Sequence, residues 1–151
     1  MDNSIKRVMK DIKMLRKTDI EIHEVIDAQN IVCIFPGPKD TPYENGKWKI
    51  SISFPKNYPF NSPSVGFIDK IYHPNVDYAS GSICLNVLND EWQPIYTLRH
   101  ITETFLPQLL TYPNPDDPMN IDAANLFKKN NKQFIRQVKS NIYSNSLNKC
   151  V

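Results

Sequence analysis

The sequence predicts an α+β fold: one amphipathic helix, four consecutive strands, then helices to the end. Ile5, Val8, Met9, Ile12 and Leu15 repeat at helical spacing within residues 4–17, on one face. Lys47-Trp48-Lys49-Ile50-Ser51-Ile52-Ser53-Phe54 alternates with strict period two, which sets one apolar strand face on a core. Long helical periodicity returns only after residue 97, so strands and helices are segregated along the chain. A chain of 151 residues can bury its core as one domain, 1–151, without disulfides or metal.

Taken in order, Asn3 or Ser4 is suited to cap the first helix. The outer face of that helix carries Lys6, Arg7, Lys10, Lys13, Arg16 and Lys17 against Asp11 alone. Such a run is either a solvated face or a surface for an acidic partner. Ile20 and Ile22 open a first strand; Ile31, Cys33 and Phe35 alternate with Val32 and Ile34 in a second. The third is the 47–54 segment, preceded by the tight-turn signal Asn45-Gly46. Val65 and Phe67 mark a short fourth strand. Four strands joined closely make an antiparallel meander with one face covered, and Cys33 inside it reads as structural.

Pro55, Pro59 and Pro63 interrupt regular structure and leave Phe60 as either core or exposed anchor. Trp92 and Pro94 mark a second irregular segment. A helix starts near Leu98 with Thr97 as cap, burying Leu98, Ile101, Phe105 and Leu109. Pro107 deletes one of its hydrogen bonds and should bend it or end it early. Pro113-Asn114-Pro115-Asp116-Asp117-Pro118 is a stiff loop, and helices follow at 121–129 and 131–146, the last burying Phe134, Val138 and Ile142.

Composition narrows the function classes. Hydrophobic residues make up 40% and charged residues 23%, ordinary for a soluble globular protein. A net charge of +2 is too small to argue for nucleic acid. No apolar run approaches the roughly 18 residues of a membrane span, and the N-terminus lacks the apolar core of a secretory signal. The 3 cysteines, Cys33, Cys84 and Cys150, are odd in number and far apart, which suits a reduced, intracellular protein. Cys150 stands next to last, not four from the end as prenylation requires.

The densest chemistry lies between Tyr72 and Asn86. Pro74 fixes its own φ and pushes His73 towards an extended conformation, so Asn75 leaves a stiff segment. Cys84 follows a Ser-Gly turn. A thiol between Ile83 and Leu85 is commonly a buried small hydrophobe, and a reactive one needs a cation, a helix N-terminus or a base. No lysine or arginine lies between His73 and Glu91. His73, beside its proline, suits a structural hydrogen bond better than a base, so a Cys-His peptidase is disfavoured. A thiol without a strong activator is better suited to receive an acyl group that arrives as a thioester. Attack on that thioester by an amine needs the amine neutral, and a carboxylate at Asp116 or Asp117, if brought close to Cys84, would orient the incoming ammonium and take its proton. The Asn75 carboxamide would stabilise the oxyanion. Capping of the helix at 121 competes for one of the aspartates.

These residues resemble a known family. His73-Pro74-Asn75, Cys84-Leu85, Trp92-x-Pro94 and Pro113-Asn114-Pro115-Asp116-Asp117-Pro118 stand in the order and spacing of the ubiquitin-conjugating enzymes. Gly37-Pro38-x-x-Thr41-Pro42-Tyr43-x-x-Gly46 and Tyr58-Pro59-Phe60-x-x-Pro63 are equally typical, and the resemblance runs over about residues 4–146. It implies the ubiquitin-conjugating (UBC) fold. It implies that Cys84 accepts the ubiquitin C-terminus from an activating enzyme and passes it to a substrate lysine, usually with a ligase of RING type. The activating enzyme uses the ATP, so no cofactor is expected on this chain.

Asn75 is then the residue that stabilises the oxyanion or fixes the loop that Asp117 reaches. Asp117 positions the lysine, Tyr72 borders its path, and His73 and Pro74 hold the loop. Lys6, Arg7, Lys10 and Lys13 match the surface that docks activating enzyme and ligases. Phe60, Pro94 and Ile95 match the two loops that ligase domains grip. A monomer in the cytoplasm, and also in the nucleus, is expected. Asn75-Val76-Asp77-x-Ala79-Ser80-Gly81 and Phe105-Leu106-Pro107-Gln108-Leu109-Leu110 resemble the H-type (Ubc-eight-like) branch. Two departures stand out: Asn86 where the family often has Asp, and an ending at Asn148-Lys149-Cys150-Val151 without that branch's acidic tail. Another ubiquitin-like modifier, or a non-catalytic scaffold of the same fold, is the alternative.

Overall fold

The structure is a computed structural model that describes residues 2–145; the expectations for Cys150 and the other final residues lie outside the described residues. Helix α1 spans Asn3–Leu15. Its cap is Asp2, whose carboxylate accepts from the Ser4 N–H at 2.7 Å, rather than Asn3 or Ser4. Asp2 keeps the non-helical backbone a cap requires, and its charge suits the positive end of the helix dipole. Val8 and Leu15 are buried, Ile5 and Ile12 half-buried, but Met9 is 54% exposed, so the apolar stripe is narrower than its periodicity implies.

The strands β1 (Glu21–Asp27), β2 (Asn30–Pro36), β3 (Lys47–Ser53) and β4 (Ser64–Phe67) form one antiparallel sheet in the order β1-β2-β3-β4. As the alternation predicts, Ile31, Cys33, Phe35, Trp48, Ile50, Ile52, Val65 and Phe67 are buried on it. Burial pushes the Cys33 thiol up to about 12, so it stays protonated and inert. The Asn45-Gly46 signal marks a real turn, with the Gly46 N–H donating to the Tyr43 carbonyl at 2.9 Å. The glycine is required for space: a Cβ there would lie 2.1 Å from the Trp48 ring.

The helices are α2 (Leu85–Glu91), α3 (Leu98–His100), one π-helical turn (Ile101–Phe105), α4 (Leu106–Thr111), α5 (Ile121–Lys129) and α6 (Asn131–Ser144). Thr97 caps α3 as predicted. Pro107 neither ends nor breaks the run. The π turn lets the Leu106 N–H reach back to the Ile101 carbonyl, and Pro107 falls in the first turn of α4, where its missing N–H costs little. The extra residue per turn also shifts the buried face: Leu106 and Leu110 are buried, and Leu109 is only half-buried. Helix α2 has no counterpart among the elements the sequence predicts.

Two aromatic-rich loops are joined under this core. The Trp92 indole N–H donates to the Pro59 carbonyl at 2.7 Å, tying the 58–60 loop to the 92–96 loop. The Asp11 carboxylate, fully buried, accepts from Arg7 Nε at 2.9 Å and from the Tyr58 hydroxyl. Arg7 donates further to the carbonyls of Pro94 and Tyr96. Among the described residues no helix is long and apolar enough to cross a membrane.

Candidate active site

His73 sets the starting point. It is fully buried, and its Nδ1 accepts from the Asn75 N–H at 2.9 Å while Nε2 lies 2.8 Å from the Leu109 carbonyl. The carbonyl can only accept, so the imidazole is neutral with its proton on Nε2. Burial lowers its pKa to about 4, against a smaller upward pull from the Leu109 carbonyl. His73 is therefore a structural pin joining the loop to α4, as its proline neighbour suggests.

A pH dependence follows. Below about 6.5 the unfolded imidazole takes a proton that the folded one refuses, so stability is complete above that pH. It should fall as pH drops towards about 4, by at most about 3 kcal/mol from this residue. Urea midpoints at pH 7 and pH 5 test it; identical midpoints would exclude a buried neutral imidazole.

Pro74 is buried, and its carbonyl accepts from the N–H groups of Met119 and Asn120 at 2.8 and 3.0 Å. Asn75 continues the seam. Its Nδ2 donates to the carbonyls of Asn114 at 2.7 Å and Asp117 at 3.1 Å, and its Oδ1 accepts from the Asn114 N–H at 2.8 Å. Both amide protons are thus engaged by the 113–118 loop. Of the two roles open to Asn75, fixing that loop is the one its geometry performs; donation to an oxyanion would require breaking a bond already made.

Beyond Asn75 the chain doubles back. The Asp77 carboxylate accepts from the Ser80 N–H at 2.9 Å and its hydroxyl at 2.6 Å, which lowers the Asp77 pKa. Gly81 adopts φ +76, and a Cβ there would meet the Phe67 carbonyl oxygen at 1.8 Å. Only glycine fits. Val76 then bridges Ile83, and Cys84 caps α2 without a side-chain bond.

The thiol is half-buried in a small cleft of about 50 Å³ lined by Asn75, Ile83, Val87, Leu109, Asn114, Asp117 and Met119 besides Cys84 itself. The fold therefore brings Cys84, Asn75 and Asp117 to one opening. Neither aspartate caps α5: Asn120 does, and Asp116 instead pairs with Lys128 at 2.9 Å. Tyr72 departs from expectation. It lines a separate, wider depression with Asp122, Asn125, Leu126, Lys129 and Gln137, its ring 6.0 Å from that of Phe134. The reason is strand-like alternation: His73 points inward, so Tyr72 faces the helices instead of the cleft.

Of the expected partner surfaces, Phe60 and Ile95 are 73% and 80% exposed and Pro94 is exposed beside them. Phe60 is thus no core residue. Lys6, Lys10 and Lys13 are exposed, whereas Arg7 is turned inward to Asp11, Pro94 and Tyr96 and is not free to dock. Sequence reasoning missed Val87, Leu109 and Met119 as walls of the cleft.

A meander flanked by helices, with two loops stitched over a half-buried thiol, defines the UBC class of fold. A family model described as ubiquitin-conjugating enzyme matches residues 4–142. Ubiquitin-conjugating enzyme E2 5 of Arabidopsis thaliana is 48% identical over 140 residues, covering 92% of this chain and 76% of that protein. Ubiquitin-conjugating enzyme E2-24 kDa of Saccharomyces cerevisiae is 45% identical over 143 residues, covering 94% of this chain and 66% of that one. The solved E2 domain of a Toxoplasma gondii ubiquitin conjugating enzyme superposes with a TM-score of 0.84 at 30% identity, covering 93% of this chain and 97% of that chain. The chain belongs to the ubiquitin-conjugating enzyme family. It is by that membership an enzyme of ubiquitin conjugation, with ubiquitin, an activating enzyme and a ligase as its general partners.

Proposed function

We propose that Cys84 carries ubiquitin as a thioester and that Asp117 receives and orients the lysine that attacks it. The shared cleft supports this, since Asp117, from the 113–118 loop, and the half-buried Cys84 line the same opening. Loading is an exchange: the Cys84 thiolate attacks the activating enzyme's thioester, and that enzyme's cysteine leaves. In discharge the neutral lysine amine attacks the carbonyl carbon, the C–S bond breaks, and the Cys84 thiolate departs. The ammonium proton goes to Asp117 or through it to water. Asn75 holds Asp117 in place for that step, and His73 and Pro74 hold Asn75. Tyr72 lies outside this chemistry, at the flank.

The chain binds no cofactor in this scheme, because ATP is consumed upstream. Exposed Lys6, Lys10 and Lys13 receive the activating enzyme, and exposed Phe60, Pro94 and Ile95 receive a ligase of RING type. The protein acts as a monomer of the H-type branch, in the cytoplasm and also the nucleus.

One assay tests the core of this. The protein is incubated with activating enzyme, ATP and ubiquitin, then run on gels with and without reductant. A single thiol-labile ubiquitin adduct is expected, absent in Cys84→Ala and retained in Cys33→Ala and Cys150→Ala. Loss of the adduct in either of the latter, with Cys84→Ala still charged, would move the site. Charging with other ubiquitin-like modifiers in parallel lanes separates ubiquitin from the alternatives.

A further inference from the structure

The loop that leads to Cys84 is also gripped at its tip. Lys70 donates from Nζ to the carbonyls of Tyr78 at 3.0 Å and Ala79 at 2.8 Å, and its ammonium lies 5.3 Å from the centroid of the Tyr78 ring. From the other side Asn141, 63 residues further on in α6, donates from Nδ2 to the Tyr78 hydroxyl at 3.0 Å. Tyr78 is thus held between the end of the sheet and the last helix. The grip continues inward: Asp77 binds the Ser80 N–H and hydroxyl, the Ser80 hydroxyl accepts from the Ser82 N–H at 3.1 Å, and Ser82 precedes Cys84 by two residues.

The turn also has bonds of its own, among them the Gly81 N–H to the Asp77 carbonyl at 2.8 Å. Asp77, Ser80 and Gly81 satisfy its own geometry, and His73 and Asn75 secure its start. Asn141 is also a costly way to fill its position. It is buried, and its Oδ1 has no hydrogen-bond partner among the described residues. An apolar side chain there would avoid that desolvation penalty, so the bond to Tyr78 is what the amide contributes.

We infer that Lys70, Tyr78 and Asn141 are positioning residues for lysine transfer, a clasp that fixes the tip of the Cys84 loop to α6 and sets the thioester against Asp117. The inference rests on Cys84 being the thioester residue. Loading, an exchange between thiols, tolerates a looser loop. Discharge does not, because the amine, the carbonyl carbon and Asp117 must align.

The experiment follows preloaded thioester discharging to free lysine over a range of lysine concentrations. Tyr78→Phe and Asn141→Ala should each slow the saturated rate by about threefold to tenfold, with little change in the lysine concentration at half-saturation. The double variant should be no slower than either single, since both remove one bond. Lys70→Met should slow discharge, and Lys70→Arg, which keeps a cationic donor, should restore much of the rate. Loading should be unchanged in all, and thermal melts of each variant show whether Asn141→Ala has unfolded. Normal discharge in Tyr78→Phe overturns the clasp, as does an equal fall in loading and discharge. If Cys84→Ala still forms the adduct, the assignment of the site fails, and the clasp with it; if Cys84→Ala is inert and Tyr78→Phe discharges normally, the clasp alone fails.

Discussion

Asn75→Ala should slow discharge of the Cys84 thioester to free lysine on the order of a hundredfold and leave loading nearly intact. The side chain makes bonds of 2.7, 3.1 and 2.8 Å to the backbone of Asn114 and Asp117. Alanine removes all of them and frees the exposed loop that carries Asp117. A displacement of about an ångström at a reacting group is enough for an effect of this size. Asp117→Ala should give a comparable loss, and the double variant little more, because one residue acts through the other. Single-turnover loading and discharge, measured on the same protein, separate this from an oxyanion role. Both steps pass through a tetrahedral oxyanion, so an Asn75 that stabilised it would impair both. Equal losses in the two steps would sink the positioning role.

The parts of this site that are legible in the sequence are those fixed by local chemistry. Trp48, Ile50 and Ile52 alternate because one face of β3 is buried, and the pattern exposes the strand directly. His73 behind Pro74 betrays a pinned loop. What stays hidden depends on partners distant in sequence or on elements too short to show a period. Helix α2 has seven residues and buries only Leu88, which leaves no stripe to detect. The π turn before Pro107 breaks the helical repeat, so periodicity places Leu109 in the core, whereas its carbonyl serves His73 and the residue lines the cleft. Arg7 looks like its lysine neighbours on a helical wheel. Its partners at Pro94 and Tyr96 lie 87 and 89 residues away.

That difference between Arg7 and its neighbours predicts the second large effect. Asp11→Ala should destabilise the fold by about 3 kcal/mol, measured as a fall in the urea midpoint at pH 7. The Asp11 carboxylate is buried and is the shared acceptor for Arg7 and for the buried Tyr58 hydroxyl. Removing it leaves a largely enclosed guanidinium and a buried hydroxyl without their acceptor. The same change should loosen the segment bearing Pro94 and Ile95, because Arg7 holds the Pro94 and Tyr96 carbonyls from a position that Asp11 fixes. Ligase-stimulated discharge should therefore fall further than unstimulated discharge. Reversing the charges of Lys6 and Lys10 should behave oppositely. Both side chains are exposed, so stability should be nearly unchanged, while charging by the activating enzyme should slow, with a smaller effect at high salt. A midpoint unmoved by Asp11→Ala would mean that Arg7 and Tyr58 find other partners without cost, and that the buried carboxylate adds nothing to the docking of α1 against the loop.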